Sequence, residues 1–216
     1  MRTTERNVPN PGPPLRPLAV VIPVYNAADD LARCLDSVHR TVPAETEVLV
    51  IDDASTDPAV GGLLQAWARR RPGWRCYTNP VNRGFVGTAN RGMALVDGDL
   101  VLLNSDTLVL GDVLADSVRY MDEHTDVGMM GCRVLNEDGT TQMTCSRYPS
   151  FFNLLLQTLG LNRLARPRWL QRYQMLDWAR DDEREVEVVS GCYLVARRTT
   201  LAQIGLLDES FFLYGE

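Results

Sequence analysis

The chain has 216 residues, of which 45% are apolar and 23% are charged, and its formal net charge is −6. A chain of this length can bury one substantial core without a disulfide or a structural metal. The acidic balance argues against a general nucleic-acid binder, which needs a basic face, and against docking on anionic membranes. All 22 basic residues are arginine, which excludes a Schiff-base lysine and the lysine of a P-loop.

Other common active-site patterns are also missing. The two histidines form no HExxH pair, and no serine lies in a GxSxG turn. The five cysteines contain no CxxC, so we expect reduced thiols rather than a zinc site or a disulfide framework. Reduced thiols are typical of a cytoplasmic protein, and cytoplasmic is the predicted location.

Residues 1–17 contain five of the twelve prolines and show no apolar periodicity. We interpret them as a flexible arm rather than a signal peptide, because they have no apolar central region. The longest apolar run, residues 18–25, is far shorter than the ~20 residues of a membrane span, so no transmembrane segment is expected. Residues 18–216 are predicted to form one domain.

From residue 18 the chain alternates between short apolar, β-branched runs and segments of helical periodicity. The predicted strands are residues 18–25, 47–51, 74–78 and 100–103. The predicted helices are residues 28–40, a segment that begins at Asp57-Pro58, residues 84–95 and residues 111–124. This alternation is typical of an α/β fold with a mainly parallel, Rossmann-like sheet and helices on both faces.

The second half has a mixed pattern. Residues 136–139 read Asn-Glu-Asp-Gly, which indicates a hairpin turn. Residues 150–180 are predicted to be helical or irregular. A long strand is predicted over 185–197, followed by a short helix over 199–205.

Polar side chains follow the predicted strands at the edge where ligands bind in open α/β sheets. Asp53 ends the second strand, Asp106 follows the fourth, and no GxGxxG follows the first, so a dinucleotide site is not expected. Carboxylates repel phosphates unless a divalent cation bridges them, and Mg²⁺ commonly does so. The strand ends therefore predict a metal–nucleotide site. The alternative is that Asp53, Asp57 and Asp106 only cap turns and helix starts.

An ordered set of motifs over residues 18–216 resembles the family 2 glycosyltransferases, the large inverting group with the GT-A fold. The motifs are VVIPVYN at 20–26, VIDDASTD at 50–57, NRGF at 82–85, ANRG at 89–92, LLNSDT at 102–107, SGC at 190–192, IG at 204–205 and FFLYGE at 211–216. Each motif is weak alone, whereas their order and spacing are specific. The variants are most similar to the bacterial rhamnosyltransferase-type branch.

The resemblance implies a donor site for a nucleoside-diphosphate sugar carrying UDP, GDP or dTDP. Tyr25 would stack on the base, Pro23 would contribute backbone, and Asp53 would accept a hydrogen bond from the base N3–H. Arg83 and Gly84 would approach the diphosphate and the sugar. The alternatives are a core aromatic for Tyr25, a turn cap for Asp53 and a solvated side chain for Arg83.

The resemblance also implies a metal and a catalytic carboxylate. Asn104-Ser105-Asp106 occupies the family's Asp-x-Asp position, so Asp106 would bind Mg²⁺ or Mn²⁺, and Asn104 would bind ribose or sugar. One carboxylate fewer is expected to weaken metal affinity. Gly191 would leave room for the acceptor. Glu216 matches the first member of the acidic pair whose second member is usually the base, so we expect a C-terminally truncated domain.

A stretch rich in aromatic residues and arginine is open to two interpretations. It comprises Phe151, Phe152, Arg163, Arg166, Arg168, Trp169, Arg172, Tyr173 and Trp178. The simpler interpretation is a helical subdomain with solvated charges, and the sharper one is an acceptor rim near a lipid-linked or anionic sugar.

The predicted function is metal-assisted transfer of a sugar, with inversion, to a saccharide acceptor, either free or lipid-linked, in bacterial polysaccharide or cell-wall biosynthesis. A lipid-linked acceptor would bring the protein to the inner face of the membrane. Three alternatives remain. One is a sugar-1-phosphate nucleotidyltransferase, although its glycine-rich loop and lysine are absent; the others are a non-catalytic nucleotide-sugar binding module and a domain without a ligand.

Overall fold

The computed structural model describes residues 18–43, 45–71, 73–148 and 175–211. Within them, a six-stranded sheet has the strand order β3-β2-β1-β4-β8-β5, and β6 and β7 form a separate two-stranded sheet. The strands are β1 Leu18–Val24, β2 Val48–Asp52, β3 Trp74–Thr78, β4 Asp99–Leu103, β5 Met129–Gly131, β6 Cys145–Ser146, β7 Val188–Val189 and β8 Tyr193–Ala196. The helices are α1 Ala28–Thr41, α2 Pro58–Arg70, α3 Gly84–Ala94, α4 Val113–Glu123 and α5 Arg198–Ile204.

The sheet is parallel through its first four strands and mixed at one edge. β1 pairs in parallel with β2 on one side and with β4 on the other. β8 runs antiparallel to β4, and β5 runs antiparallel to β8. The predicted parallel first half and mixed second half are therefore both confirmed.

Helices cover both faces of the sheet, as predicted. One apolar cluster packs α1, α2 and α4 against alternate residues of β1, β2 and β4, and the other packs α3 and α5 against the opposite face. Ile22 and Ile51 are fully buried, and each such side chain contributes roughly 1.5–3 kcal/mol. α3 packs very closely on β1, and this close approach requires Gly92, since a Cβ at that position would clash with a methyl group of Val21.

The local signals for turns and caps are confirmed. Asp57 is the N-cap of α2 and accepts a hydrogen bond from Ala59 N at 2.9 Å, with Pro58 in the first helical turn. Gly139 N donates to Asn136 O at 2.9 Å and closes the predicted hairpin turn. All five cysteines are free.

The prediction of one long strand over 185–197 is wrong. Two short strands stand there, β7 and β8, and they belong to different sheets. Between them Ser190 N donates to Thr144 O at 2.7 Å, whereas Cys192 O accepts from Asn104 N at 3.1 Å. The chain therefore changes partners at Gly191, and the apolar residues on either side gave the sequence the pattern of one continuous strand.

Some predictions fall outside the described residues: the arm 1–17, residues 151–173 of the aromatic and arginine-rich stretch, and Glu216. Trp178 is described, and the guanidinium groups of Arg180 and Arg184 lie 5.4 Å and 4.8 Å from its ring centroid. In the described part of the chain, no helix has the length and hydropathy needed to cross a membrane.

Candidate functional site

The carboxyl ends of β1 and β2 bring Tyr25 and Asp53 next to each other. The parallel register pairs Val24 with Asp52, so both residues follow directly after the paired strands. Asp53 N also donates to Val24 O at 2.8 Å. Tyr25 is 49% exposed, which is inconsistent with the alternative of a core aromatic. Pro23 is buried within β1, opposite Ile51, so only its backbone is placed to contribute to the edge.

Asp53 is a buried carboxylate whose two oxygens have different surroundings. Asp53 is only 3% exposed. Oδ1 accepts from Asn79 Nδ2 at 2.7 Å and from Arg83 N at 2.8 Å. No described residue donates to Oδ2. Asp53 therefore fixes the distant segment that leads into α3, whereas the local turn is capped by Asp52, whose Oδ1 accepts from Ser55 N at 3.0 Å.

Sequence analysis did not identify Asn79, the residue whose side-chain amide donates to the Asp53 carboxylate. Asn79 is 2% exposed and follows β3 directly. Its Nδ2 also donates to Thr88 Oγ1 at 2.8 Å, and its Oδ1 accepts from Arg91 Nη1. Every polar group of this amide thus has a partner. The only signal in the sequence was its position at a strand end.

The segment after Asn79 enters α3 through a glycine. Gly84 has a φ of +73°, and a Cβ added there would meet no atom within 4 Å. Glycine is therefore required by the backbone conformation rather than by packing. Arg83 has an ionic partner, because its Nη2 lies 3.6 Å from Glu209 Oε2. The Arg83 side chain is also 43% exposed, so this ion pair is compatible with the alternative of a solvated arginine.

The end of β4 is tied to the turn before β8. Asn104 N donates to Cys192 O at 3.1 Å, and Thr107 Oγ1 donates to the same oxygen at 3.4 Å. Asn104 Oδ1 is buried and has no hydrogen-bond partner among the described residues. Asp106 is exposed, and no described residue donates a hydrogen bond to its carboxylate.

A buried thiol lies beneath this edge. Cys34 is fully buried in α1, and its Sγ donates to Asn104 O at 3.6 Å. Burial, followed by the negative charge of Asp106, raises the pKa of Cys34 to about 12. The thiol therefore stays protonated well above neutral pH.

Gly191 brings the turn before β8 to the first turn of α3. A Cβ on Gly191 would lie 3.5 Å from the ring of Phe85, which follows Gly84 directly. The predicted acceptor position and the predicted donor segment are therefore neighbours in space. The described residues contain no cluster of three or more histidine, cysteine or acidic side chains that would hold a metal alone. A metal here would need oxygen atoms from its ligand in addition to Asp106.

The predicted site residues form two groups at the same edge of the sheet. In the first group, Asp53 follows β2 beside Tyr25 and accepts from Arg83 N, which precedes Gly84. In the second group, the hydrogen bond from Asn104 N to Cys192 O joins the segment that contains Asp106 to the turn that contains Gly191. Asp57 lies apart as a helix cap.

Comparison with known proteins gives a consistent result. The sequence model of the family described as Glycosyl transferase family 2 matches residues 19–201. The O-antigen biosynthesis protein RfbC of Myxococcus xanthus is 30% identical over 199 residues, covering 91% of this chain and 14% of that protein. An N-acetylglucosaminyl-diphospho-decaprenol L-rhamnosyltransferase of Mycobacterium tuberculosis is 26% identical over 215 residues, covering 92% of this chain and 67% of that protein.

Solved structures share the architecture at low sequence identity. TarS 1–349 of S. aureus has a TM-score of 0.62 and 18% identity, covering 92% of this chain and 52% of that one. The mannosyltransferase PcManGT of Pyrobaculum calidifontis, solved with GDP-Man and Mn²⁺, has a TM-score of 0.60 and 21% identity, covering 89% of this chain and 47% of that one. The predicted GT-A fold is thereby confirmed. The chain spans about half the length of these two structures.

Proposed function

This chain belongs to glycosyl transferase family 2, and from that premise we propose that it transfers a sugar from a nucleoside-diphosphate sugar to a hydroxyl group of a saccharide. The observation that carries the proposal is the pairing of Tyr25 and Asp53. At the ends of two paired strands, Tyr25 is exposed, whereas Asp53 has a buried carboxylate with one oxygen free of donors among the described residues. Such a pair suits a flat base that offers an N–H at its edge.

The base is proposed to be uracil, thymine or guanine. Each of these bases presents a ring N–H that Asp53 Oδ2 would accept, whereas cytosine and adenine present a ring nitrogen with a lone pair at that position. The ring of Tyr25 would stack on the base. PcManGT, whose structure contains GDP-Man, and TarS, which has been solved with UDP-GlcNAc, support a nucleotide-sugar donor for this fold.

The diphosphate is proposed to bind between Arg83 and Asp106. Arg83 would offset its charge, and Asp106 would hold Mg²⁺ or Mn²⁺ by a carboxylate oxygen, with Asn104 close by. Carboxylate and amide oxygens are suitable donors for these cations, which usually keep several oxygen ligands from water and phosphate. The metal, when bound, would neutralise charge that develops on the leaving diphosphate.

The reaction is proposed to be a single displacement with inversion. The acceptor oxygen forms a bond to the anomeric carbon while the bond from that carbon to the diphosphate breaks. A carboxylate takes the proton of the acceptor hydroxyl. Glu216, the first member of the family's acidic pair, is the carboxylate that this sequence offers for the role, although the second member of the pair is usually the base. Gly191 would leave the acceptor room.

The acceptor is proposed to be a saccharide of a bacterial surface polymer, with a lipid-linked saccharide as the favoured form. Two relatives, an O-antigen biosynthesis protein and a rhamnosyltransferase named for a decaprenol-linked sugar, support this class. A dTDP-linked rhamnose is the proposed donor on the same ground. A lipid-linked acceptor would bring the protein to the cytoplasmic face of the membrane.

The test is a thermal-shift panel with UDP, dTDP, GDP and ADP, each with and without Mn²⁺. A ligand at ~100 times its Kd adds ~2.7 kcal/mol, which corresponds to a rise in Tm of roughly 5–10 °C for a domain of this size. We expect a metal-dependent shift with one of the first three nucleotides and none with ADP. Cooperative melting without any shift would contradict a donor site.

One observation favours a second function, that of a nucleotide-sugar binding module without turnover. Asn104-Ser105-Asp106 offers one carboxylate where the family pattern has two. A protein that binds the donor but neither transfers nor hydrolyses the sugar, with a panel of saccharide acceptors, would support this alternative.

A further inference from the structure

The loops after β1 and β2 are joined by one side chain, that of Asn26. Its Oδ1 accepts from Thr56 N at 3.0 Å, from Asp57 N at 3.1 Å and from Thr56 Oγ1 at 3.3 Å. In the other direction, Asn26 N donates to Ser55 Oγ at 2.8 Å. These four hydrogen bonds join residues that are 29 to 31 positions apart in the chain.

The backbone of these two loops is strained, and the hydrogen bonds are contacts that hold it in place. Asn26, Ala27 and Ala54 have φ values of 59°, 55° and 58°. Residues other than glycine rarely adopt this left-handed conformation, although asparagine and aspartate tolerate it best. Such residues persist where surrounding contacts determine the conformation. Asn26 thus combines a tolerated left-handed backbone with an acceptor for two backbone N–H groups.

The position of Asn26 relates it to the base site. It follows Tyr25 directly, and the loop that it binds begins at Ala54, directly after Asp53. The distance and angle between the Tyr25 ring and the Asp53 carboxylate therefore depend on how these two loops are held together. The backbone of Asp53 is held by Val24 O and its side chain by Asn79 and Arg83 N. Beyond the paired strands, the bonds of Asn26 are the ones that join the loop after Tyr25 to the loop after Asp53.

We propose that Asn26 is a positioning residue that sets the alignment of Tyr25 and Asp53 and so determines base selectivity. The inference rests on the proposed function, because it requires that these two residues bind a base. Only the acceptor oxygen of the amide takes part, since Nδ2 of Asn26 donates to no described residue. Aspartate is therefore expected to replace asparagine, whereas glycine would keep the left-handed backbone and lose the acceptor.

The experiment compares Asn26→Asp, Asn26→Gly and Asn26→Ala with the unmodified chain. The Kd values of UDP, dTDP, GDP, CDP and ADP are measured by calorimetry with Mn²⁺. Selectivity is the ratio of the Kd of the reference nucleotide to that of the preferred one; CDP is the reference for a pyrimidine and ADP for guanine. All five carry the same diphosphate, so an added charge at position 26 cancels in this ratio.

We expect Asn26→Asp to keep the original selectivity within about twofold. Asn26→Gly and Asn26→Ala should bind the preferred nucleotide about tenfold more weakly, while the reference nucleotide changes less than threefold, because hydrogen bonding depends more steeply on geometry than stacking does. If the glycine and alanine variants fail to fold, Ser55→Ala removes only the acceptor of Asn26 N and should lower selectivity two- to fivefold. Asn136→Ala, in the exposed hairpin turn, is the matched control and should change nothing.

Three results would overturn the inference, and they are distinguishable. Unchanged Kd values in Asn26→Gly, with the unmodified chain showing a clear preference, would overturn the positioning role alone. An equal rise in Kd for all five nucleotides, together with a lower Tm, would assign Asn26 a purely structural role. Absence of nucleotide binding by the unmodified chain would overturn the proposed function as well.

Discussion

The two halves of the strand-end site differ in how completely this chain builds them. The half proposed to bind the base, here called the base half, lies at the ends of β1 and β2 and has a buried carboxylate with two donors on one oxygen and two loops joined by Asn26. The half proposed to bind the metal, here called the metal half, lies at the end of β4 and has an exposed Asp106 without a described hydrogen-bond donor. Beside it, Asn104 has a buried oxygen without a partner among the described residues.

The difference indicates where a ligand must supply order. A half that is already held by hydrogen bonds loses little conformational freedom when a base binds, so most of the contact energy appears as affinity. The side chains of Asp106 and Asn104 have no such bonds among the described residues, and on the proposed function they would gain partners only from the ligand and the metal. A substitution of Asp53 should therefore lower both nucleotide affinity and stability, whereas a substitution of Asp106 should lower nucleotide affinity without lowering stability.

The largest effect is expected for Asp53→Ala. The substitution leaves Asn79 Nδ2 and Arg83 N without their shared acceptor inside the protein, at a cost of about 1–3 kcal/mol for each group. We expect the free energy of unfolding to fall by about 2–4 kcal/mol, measured by urea titration, and binding of the preferred nucleotide to be lost. Unchanged stability would contradict the structural part of this role.

Asp53→Asn is the matched control for that variant. Its remaining oxygen can still accept from Asn79 and Arg83, so most of the stability should be retained. The amide NH₂ would then stand where Oδ2 was, and it would donate to a base instead of accepting from it. We expect the preference to move from UDP, dTDP or GDP towards CDP or ADP in the same calorimetric assay; an unchanged preference would exclude Asp53 from base recognition.

The next effect is expected for Asp106→Ala, and it should appear in metal-dependent binding alone. An exposed carboxylate without a hydrogen-bond donor contributes within about 0.5 kcal/mol to stability. Nucleotide affinity in the presence of Mn²⁺ should fall about tenfold or more, to the value measured with EDTA. Asp116→Ala is the control, because Asp116 is an exposed carboxylate paired with Arg119 on α4. Retained metal dependence in Asp106→Ala would remove Asp106 from the metal site.

A smaller effect distinguishes the two glycines of the site. Gly84→Ala should cost about 1–2 kcal/mol, because alanine is strained at a φ of +73° although its Cβ would meet no atom within 4 Å. Gly191→Ala should leave Tm within about 1–2 °C, since its Cβ would make an ordinary contact with Phe85. A lower transfer rate in Gly191→Ala with unchanged nucleotide affinity would then indicate crowding of the acceptor. An equal loss of Tm in both variants would contradict the assignment of strain to Gly84.

Much of this architecture could be predicted because its signals are local. The buried strands are continuous apolar runs, and α2 begins at an N-cap followed by proline, which satisfies the first free N–H groups within three residues. The motif order also predicted Tyr25, Asp53 and Asp106 at one edge, since parallel strands end on the same side of a sheet. The structure confirmed these positions, while their roles remain predictions.

The remaining features depend on contacts between distant segments. The side chains of Asn79 and Asp53 form a hydrogen bond although they are 26 positions apart in the chain. The ion pair of Arg83 with Glu209 likewise joins segments from the two halves of the chain. The pattern of one sequence does not identify such pairs. The strand predicted over 185–197 failed for the same reason: the break at Gly191 follows from the hydrogen bonds of Cys192 O with residues after β4, which the local apolar pattern does not contain.

An effect confined to alkaline pH, and absent at neutral pH, is expected from Cys34, beneath the metal half. The folded state raises the pKa of this thiol from 9.0 to about 12, so the unfolded chain loses the proton at a lower pH than the folded one. The stability that the Cys34 thiol contributes is therefore complete below about pH 9 and is lost as pH rises towards 12.

The free energy of unfolding, measured by urea titration at pH 8 and pH 10.5, tests this effect. Between these two pH values Cys34→Ala should lose about 1–2 kcal/mol less stability than the unmodified chain. Because the charge of Asp106 contributes to the raised pKa, Asp106→Asn should reduce the alkaline loss in the same direction but by less. An identical alkaline loss in Cys34→Ala and the unmodified chain would show that Cys34 ionises at the same pH in both states, and that the thiol does not sense the metal half.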